Sequence, residues 1–228
     1  SYKRNNVFQF IKNECEHVHN NVGVIDLSTF SKFEITGEDS YQFLNRLCSN
    51  KIPKKDGSIV LTHVLNDIGR IQTELTVTKL KDNRYYALSA AISEIRDLDW
   101  FNHNKLEGER VTIKNLSLKK GVLGLIGPKS RNVLQKLTDT DLSNENFPWL
   151  KSKNIKINNV DVIALRVNYM GELGWELHVS MNKIEELYDY FIEADSDSIK
   201  QALEEFDGDF DEEELRLYRL KFMSEIAN

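Results

Sequence analysis

The chain has 228 residues, of which 40% are hydrophobic, so it holds enough apolar material for one large core or two modest ones. Its 36 acidic residues outnumber its 30 basic residues and give a formal net charge of −6. This balance argues against a protein whose main partner is a nucleic acid. The two cysteines, Cys15 and Cys48, support neither a disulfide framework nor a cysteine zinc site.

The first half of the chain is predicted to mix short helices with strands. Apolar spacing predicts the following elements: a helix over 8–19, strands over 22–27 and 30–37, a helix capped by Asp39 or Ser40, a hairpin over 58–80, a strand over 85–88 and a helix over 93–101. Residues 66–69 suit the hairpin turn because Asn66, Asp67 and Gly69 tolerate positive φ. We expect Ile95, Leu98 and Phe101 on the buried side of the last helix.

The second half continues with the same mixture. The predicted elements are strands over 110–115 and 122–126, a helix containing Val133, Leu134 and Leu137, strands within 155–167 and over 175–179, and a helix over 184–192. The polar stretch 139–146 is predicted to be a loop. Because strands and helices do not alternate regularly, the predicted class is α+β with largely antiparallel sheets.

Five segments carry a resemblance that periodicity alone does not reveal. They are VGVIDLSTFSKFEITGEDSYQFLNRLCSN, LTHVLNDIGRIQTELTVTKL, RDLDWF, GLIGPKSRNVL and LRVNYMGELGWELHV. Together they resemble the folate-binding aminomethyltransferase family (glycine cleavage T-protein), most closely its version in dimethylglycine and sarcosine dehydrogenases. The resemblance assigns residues 1–194 to an incomplete, truncated folate-binding module.

The resemblance implies both a fold and a reaction. The implied fold consists of Greek-key and ferredoxin-like subdomains around a central folate site. In the implied reaction, FAD in a separate domain oxidises an N-methyl group to an iminium. Tetrahydrofolate in the present module then captures the one-carbon unit as 5,10-methylenetetrahydrofolate. The sequence contains no GxGxxG motif, so we expect the FAD site in a domain absent from this chain.

Glu74 is the expected catalytic residue. From spacing alone, a glutamate between strand residues is more often a solvated surface residue. The resemblance implies instead that Glu74 lies near the pterin and the reacting nitrogens of the folate. A carboxylate there stabilises a developing cation and accepts the proton that a folate nitrogen releases.

Glu172 is the expected pterin-binding residue. The resemblance matches it to the glutamate that receives the amide N–H and exocyclic amine of the pterin, and two carboxylate oxygens suit that planar donor pair. The alternative is a polar hairpin turn. By the same resemblance, further residues line the folate: Tyr169, Arg166, Thr76 and Leu61.

The histidines do not indicate a metal site. His63 lies in a strand-like run, where packing or hydrogen bonding is the expected role. His17 and His19 are two positions apart on a predicted helix and therefore lie on different faces.

Residues 195–228 do not match the family. Two apolar stripes separated by Gly208 predict an acidic helical hairpin. A flavin-containing dehydrogenase domain is the expected protein partner, and neither a nucleic acid nor a membrane partner is expected. No apolar run approaches the roughly 20 residues of a membrane span, and the expected location is the cytoplasm, or the mitochondrial matrix in a eukaryote.

Two other functions remain open from the sequence. One is a non-catalytic folate-binding protein related to iron–sulphur maturation factors, which carry a Lys-Gly-Cys-Tyr-type motif late in the chain. Both cysteines lie early here, which argues against it. The other is a folate-dependent methyltransferase or demethylase that acts directly on its substrate.

Overall fold

The fold is seen in a computed structural model, which describes residues 7–167 and 170–188. The helices are α1 (Phe8–Asn20), α2 (Ser40–Leu47), α3 (Glu94–His103) and α4 (Ser130–Leu137), and short 3₁₀ turns lie at Ala91–Ser93 and Met181–Lys183. The strands are β1 (Gly23–Asp26), β2 (Ser31–Thr36), β3 (Ile59–Leu65), β4 (Ile71–Lys79), β5 (Arg84–Ser89), β6 (Thr112–Asn115), β7 (Lys120–Ile126), β8 (Lys151–Ile157), β9 (Val160–Arg166) and β10 (Gly174–Ser180).

The strands form two five-stranded sheets. The first sheet has the order β3-β4-β5-β2-β6 and the second has the order β1-β7-β10-β9-β8. Every pairing between these strands is antiparallel. In each sheet, three strands that are consecutive in the chain lie side by side: β3-β4-β5 in the first and β8-β9-β10 in the second. The strand that precedes them in the unit, β2 or β7, pairs with the last of the three, which is a Greek-key order. The α+β, antiparallel Greek-key prediction is therefore confirmed.

The two sheets are built from one repeated unit, which the sequence analysis did not detect. The first unit runs β2-α2-β3-β4-β5 and the second runs β7-α4-β8-β9-β10. Their sheet orders, β3-β4-β5-β2 and β8-β9-β10-β7, correspond strand by strand. A 3₁₀ turn and a helical segment follow the last strand of each unit, at 91–103 and at 181–188.

A glycine turn joins strand to helix in both units. Gly37 has φ 126° and Gly127 has φ 128°, a conformation that side chains with a Cβ rarely adopt. The N–H of Gly37 donates to the carbonyl of Asn83 at 3.2 Å, and the N–H of Gly127 donates to that of Leu173 at 2.8 Å. A serine hydroxyl three positions after each glycine donates to the same carbonyl. A Cβ on Gly37 would lie 2.0 Å from the backbone oxygen of Arg110, so the turn requires glycine.

Each unit has its own apolar core, and a third cluster joins the sheets. In the first unit, Phe101 of α3 packs edge-on against Phe33 and Phe43. In the second unit, Phe147 and Trp175 pack edge-on with ring centroids 6.1 Å apart. The inter-sheet cluster contains five buried residues: Ile59, Tyr86, Leu88, Leu165 and Val167.

The buried side of α3 differs from the prediction at one position. Phe101 is fully buried and Leu98 is partly buried, but Ile95 is 77% exposed. Asp97 faces inward in its place and accepts a hydrogen bond from the hydroxyl of Thr73 at 2.9 Å. Because residues four apart share a helix face, Asp97 and Phe101 set the inward side, and Ile95 lies away from it.

Asp39 is the N-cap residue of α2, as predicted, but its side chain does not cap the helix. Its carboxylate accepts hydrogen bonds from the backbone N–H and the Nε of Arg110 instead. These contacts, the backbone hydrogen bond foremost, lower the pKa of Asp39. The carboxylate thus ties α2 to the segment before β6.

Some predicted elements fall outside the described residues. The predicted helix over 184–192 is helical from 184 to 188, where the description ends. The acidic helical hairpin predicted for 195–228 lies wholly outside it.

A buried histidine links the sheets. His178 of β10 is fully buried, its Nδ1 lies 3.1 Å from the Tyr86 hydroxyl, and its Nε2 lies 3.3 Å from a Glu176 oxygen. A neutral ring satisfies both contacts, with Nε2–H donating to Glu176 and Nδ1 accepting from Tyr86. Burial lowers the pKa of His178, the adjacent Glu176 opposes this, and the charges of Lys32 and Lys120 add to the lowering.

The free energy of unfolding is expected to decrease as the pH falls, because of His178. Its pKa in the folded chain lies below the ordinary 6.5. Below pH 6.5, His178 therefore binds a proton more readily in the unfolded chain than in the folded chain. The contribution of neutral His178 to the free energy of unfolding is complete above pH 6.5 and is lost as the pH falls below that value. Urea unfolding between about pH 7.5 and about pH 5.5 measures this loss. A His178→Gln variant should show a smaller loss, whereas the exposed His103→Gln control should match the unchanged chain. Equal losses in all three proteins would contradict this role.

Candidate functional site

Three of the predicted site residues share one face of the β3–β4 hairpin. Leu61 pairs directly with Thr76, and His63 pairs directly with Glu74. Because direct cross-strand partners point to the same side of a sheet, these four side chains form one continuous surface, which we call the hairpin surface. Leu61 is 48% exposed on it, which is high for a leucine in a strand. The hairpin surface therefore offers an apolar patch beside a hydroxyl and a carboxylate.

Glu74 has a histidine partner on the hairpin surface. The Nε2 of His63 lies 3.3 Å from a carboxylate oxygen of Glu74, and 68% of the Glu74 side chain is exposed. An exposed pair of this kind adds little to the free energy of unfolding. Its effect is to orient the carboxylate while leaving it accessible. This contact is an ion-pair approach, so the packing or hydrogen-bonding role expected for His63 stays a prediction.

Glu172 lies at the end of the second sheet, in the loop between β9 and β10. One of its carboxylate oxygens is 2.7 Å from Nδ1 of His19, at the end of α1. The Glu172 side chain is 26% exposed, so it remains reachable from solvent. Sequence reasoning missed His19, because nothing in the sequence links residues 153 positions apart. Tyr169, predicted beside Glu172, lies outside the described residues.

The elements that carry Glu74 and Glu172 approach each other through the inter-sheet cluster. Ile59 precedes Leu61 on the same face of β3, and it packs in one cluster with Leu165 and Val167 of the second sheet. Val167 leads directly into the loop that bears Glu172. The two carboxylates thus belong to different sheets, and each has its own histidine.

Arg166 lies on the other face of β9. Its neighbour Leu165 points into the inter-sheet cluster, so Arg166 points to the opposite side of the strand. There its guanidinium lies 5.6 Å from the ring centre of Trp175 and donates to the carbonyl of Phe147 and to the amide oxygen of Asn144. The structure therefore does not bring Arg166 to the hairpin surface.

The described residues contain neither a metal-binding cluster nor a membrane-crossing helix. Over 7–167 and 170–188, no group of three histidine, cysteine, aspartate or glutamate side chains is placed to hold a metal ion. Within the same ranges, no helix has the length and apolar character needed to cross a membrane.

Comparison with known proteins identifies relatives over most of the chain. The family model of the GCVT N-terminal domain matches residues 1–203. The mitochondrial dimethylglycine dehydrogenase of Rattus norvegicus is 42% identical over 195 residues, which are 85% of this chain and 23% of that protein. An aminomethyltransferase of Thermoanaerobacter sp. (strain X514) is 34% identical over 188 residues, which are 82% of this chain and 50% of that protein. The matched regions therefore span 23% of the length of the first relative and 50% of the second.

Solved structures with low sequence identity share the fold. The glycine cleavage system aminomethyltransferase T of Bartonella henselae matches with a TM-score of 0.69 at 20% identity, over 79% of this chain and 48% of that chain. A chain of the heterotetrameric sarcosine oxidase of Corynebacterium sp. U-96, solved with pyrrole 2-carboxylate, matches with a TM-score of 0.64 at 17% identity. That match covers 86% of this chain and 96% of the other.

Proposed function

The chain belongs to the GCVT N-terminal domain family, and from this premise we propose that it is a tetrahydrofolate-dependent one-carbon-transfer module of a dimethylglycine- or sarcosine-dehydrogenase-like enzyme. The module would capture the iminium one-carbon unit as 5,10-methylenetetrahydrofolate. The observation that carries the proposal is the exposed Glu74 carboxylate, oriented by His63 beside the Leu61–Thr76 pair. The identity to dimethylglycine dehydrogenase over most of the chain supports this particular branch of the family.

The residues present fit a folate. The exposed Leu61 side chain offers apolar contact to one face of a flat heterocycle, and the neighbouring Thr76 hydroxyl offers a hydrogen bond. His19 contacts Oε1 of Glu172, but each carboxylate oxygen has two lone pairs, so both oxygens can still accept from the amine and amide N–H groups of a pterin. When bound, tetrahydrofolate would supply the nitrogens that accept the one-carbon unit. We propose Tyr169 as a further binding residue, on the resemblance alone; Arg166 faces away from the hairpin surface and is not included in the proposed folate site.

Glu74 would act as the catalytic carboxylate. Its negative charge stabilises a cationic one-carbon donor, and its free oxygen accepts the proton that a reacting nitrogen releases. His63 keeps the carboxylate in one orientation through the contact at Oε2. Because the pair is exposed, the proton can pass from Glu74 to solvent.

Oxidation of the methylamine would take place on a flavin bound outside this module. The rat dimethylglycine dehydrogenase is about four times as long as the matched region, and the sarcosine oxidase is heterotetrameric. These relatives support a flavin-containing domain or subunit as the partner. Dimethylglycine dehydrogenases of rat and human are mitochondrial, so we propose the mitochondrial matrix in a eukaryote and the cytoplasm otherwise.

Calorimetric titration with tetrahydrofolate tests the binding site. We expect Glu172→Gln to weaken binding by about tenfold or more, because a charged acceptor of the pterin donors is lost. Asp82→Asn is the matched control, since Asp82 holds the corresponding loop position before β5 in the first unit. The control should bind like the unchanged chain. Millimolar or weaker binding that neither substitution alters would contradict the folate proposal.

A further inference from the structure

Two arginines converge on one tryptophan in the second unit. The guanidinium carbons of Arg131 on α4 and Arg166 on β9 lie 5.9 and 5.6 Å from the ring centre of Trp175. One terminal nitrogen of each donates to the same amide oxygen of Asn144, both at 2.7 Å. The two nitrogens are therefore at most twice that distance apart. Like charges held this close repel each other unless a negative charge lies between them.

The pair has more donors than acceptors. Neither arginine forms an ion pair with a described residue, and the acceptors supplied are the Asn144 amide oxygen and the Phe147 carbonyl. Two further buried donors around the same ring, Arg131 Nε and Trp175 Nε1, have no hydrogen-bond partner among the described residues. Burial, and then the charge of Arg131, lower the pKa of Arg166. The surroundings thus oppose the positive charge of Arg166.

The corresponding place in the first unit contains the missing negative charge. Lys79 ends β4 as Arg166 ends β9, and its ammonium lies 5.2 Å from the ring centre of Tyr85, the counterpart of Trp175. There a carboxylate oxygen of Asp56 lies 3.2 Å from the Lys79 ammonium. In the second unit the loop before β8 contributes the neutral Asn144 amide instead. One unit therefore provides its own anion, and the other leaves this position uncharged.

We propose that Arg131 and Arg166 form a binding site for the oxyanion of a small ligand, a carboxylate or a phosphate, which displaces the Asn144 amide oxygen. Two guanidinium groups suit such oxyanions because each presents a planar set of N–H donors. Asn144 is exposed, so the site opens to solvent, and Lys153 lies at its edge over the Phe147 ring. The site lies across β9 from the inter-sheet cluster and does not depend on the folate proposal.

Thermal unfolding of the full chain in inorganic phosphate, in acetate and in chloride at equal ionic strength tests the proposal. Phosphate or acetate at ten times its Kd should raise Tm by roughly 4 °C above chloride. A response to phosphate alone identifies a phosphate ligand, and a response to acetate identifies a carboxylate. Arg131→Gln and Arg166→Gln should each abolish the rise. Arg84→Gln is the control: it removes a guanidinium that is paired with Glu34, and this variant should keep the rise in Tm.

Two substitutions of the exposed Asn144 separate anion binding from anchoring of the loop. Asn144→Asp supplies the carboxylate that Asp56 supplies in the first unit, so it should raise Tm without added anion and abolish the response to phosphate or acetate. Asn144→Ala should retain the response. The proposal is overturned if the unchanged chain responds equally to all three salts. It is also overturned if Asn144→Asp lowers Tm while the anion response persists, because the arginines would then serve only to hold the loop.

Discussion

Phe101→Ala is expected to lower the free energy of unfolding by about 4 kcal/mol. Phe101 is fully buried where α3 packs on the first sheet. Its ring lies edge-on to Phe33 at 5.4 Å and to Phe43 at 6.4 Å. Truncation removes these contacts and leaves a cavity that three close-packed elements cannot fill without moving. Urea unfolding of the variant measures the loss.

Ile95→Ala is the control for Phe101→Ala on the same helix. Ile95 is exposed although it is as apolar as its buried neighbours. Its truncation should change the free energy of unfolding by no more than about 0.5 kcal/mol. A cost for Ile95→Ala comparable to that for Phe101→Ala would mean that α3 packs with a different side inward.

Glu74→Gln is expected to slow formation of 5,10-methylenetetrahydrofolate by about a thousandfold, because the amide neither accepts a proton nor balances a cation. The assay follows the rate with tetrahydrofolate and a formaldehyde-derived iminium, above the uncatalysed rate. The affinity for tetrahydrofolate should change little, since Glu74 acts on the reacting atoms. Glu74→Asp should restore part of the rate by returning the carboxylate.

The second unit provides a matched control for Glu74. Asp161 occupies the equivalent position in β9, where it pairs across the sheet with Lys156 as Glu74 pairs with His63. Asp161→Asn should leave the rate unchanged. Equal rates for Glu74→Gln and the unchanged chain would remove Glu74 from the reaction. If tetrahydrofolate still bound, a non-catalytic folate-binding protein would be the better assignment.

Most strands could be predicted because half-buried strands alternate apolar and polar residues. The β3–β4 hairpin could be predicted, but the pairing of its residues could not. A register shift between Val64 and Leu65 separates the turn at 66–69 from the Leu61–Thr76 and His63–Glu74 pairs, and without it Leu61 would lie opposite Leu75. The inward side of α3 was less predictable. Asp97 is buried by its hydrogen bond to Thr73, and such a bond leaves no trace in the apolar pattern.

The remaining contacts of the candidate sites depend on tertiary structure. His19 reaches Glu172 because α1 ends beside the β9–β10 loop. Arg131 reaches Asn144 because an irregular loop folds back over α4. Neither contact follows from residue spacing, since each joins segments that only the packing of the sheets brings together.

The repeated unit also gives the molecule an approximate internal dyad. Its inter-sheet contact resembles the isologous contact of a two-fold symmetric dimer, but a single chain can diverge at each half separately. His63 and Glu74 have become a histidine–carboxylate pair on one side, whereas Lys156 and Asp161 are an ordinary exposed salt bridge on the other. Loss of symmetry at equivalent positions, rather than any difference in scaffold, is what would confine one-carbon chemistry to one half.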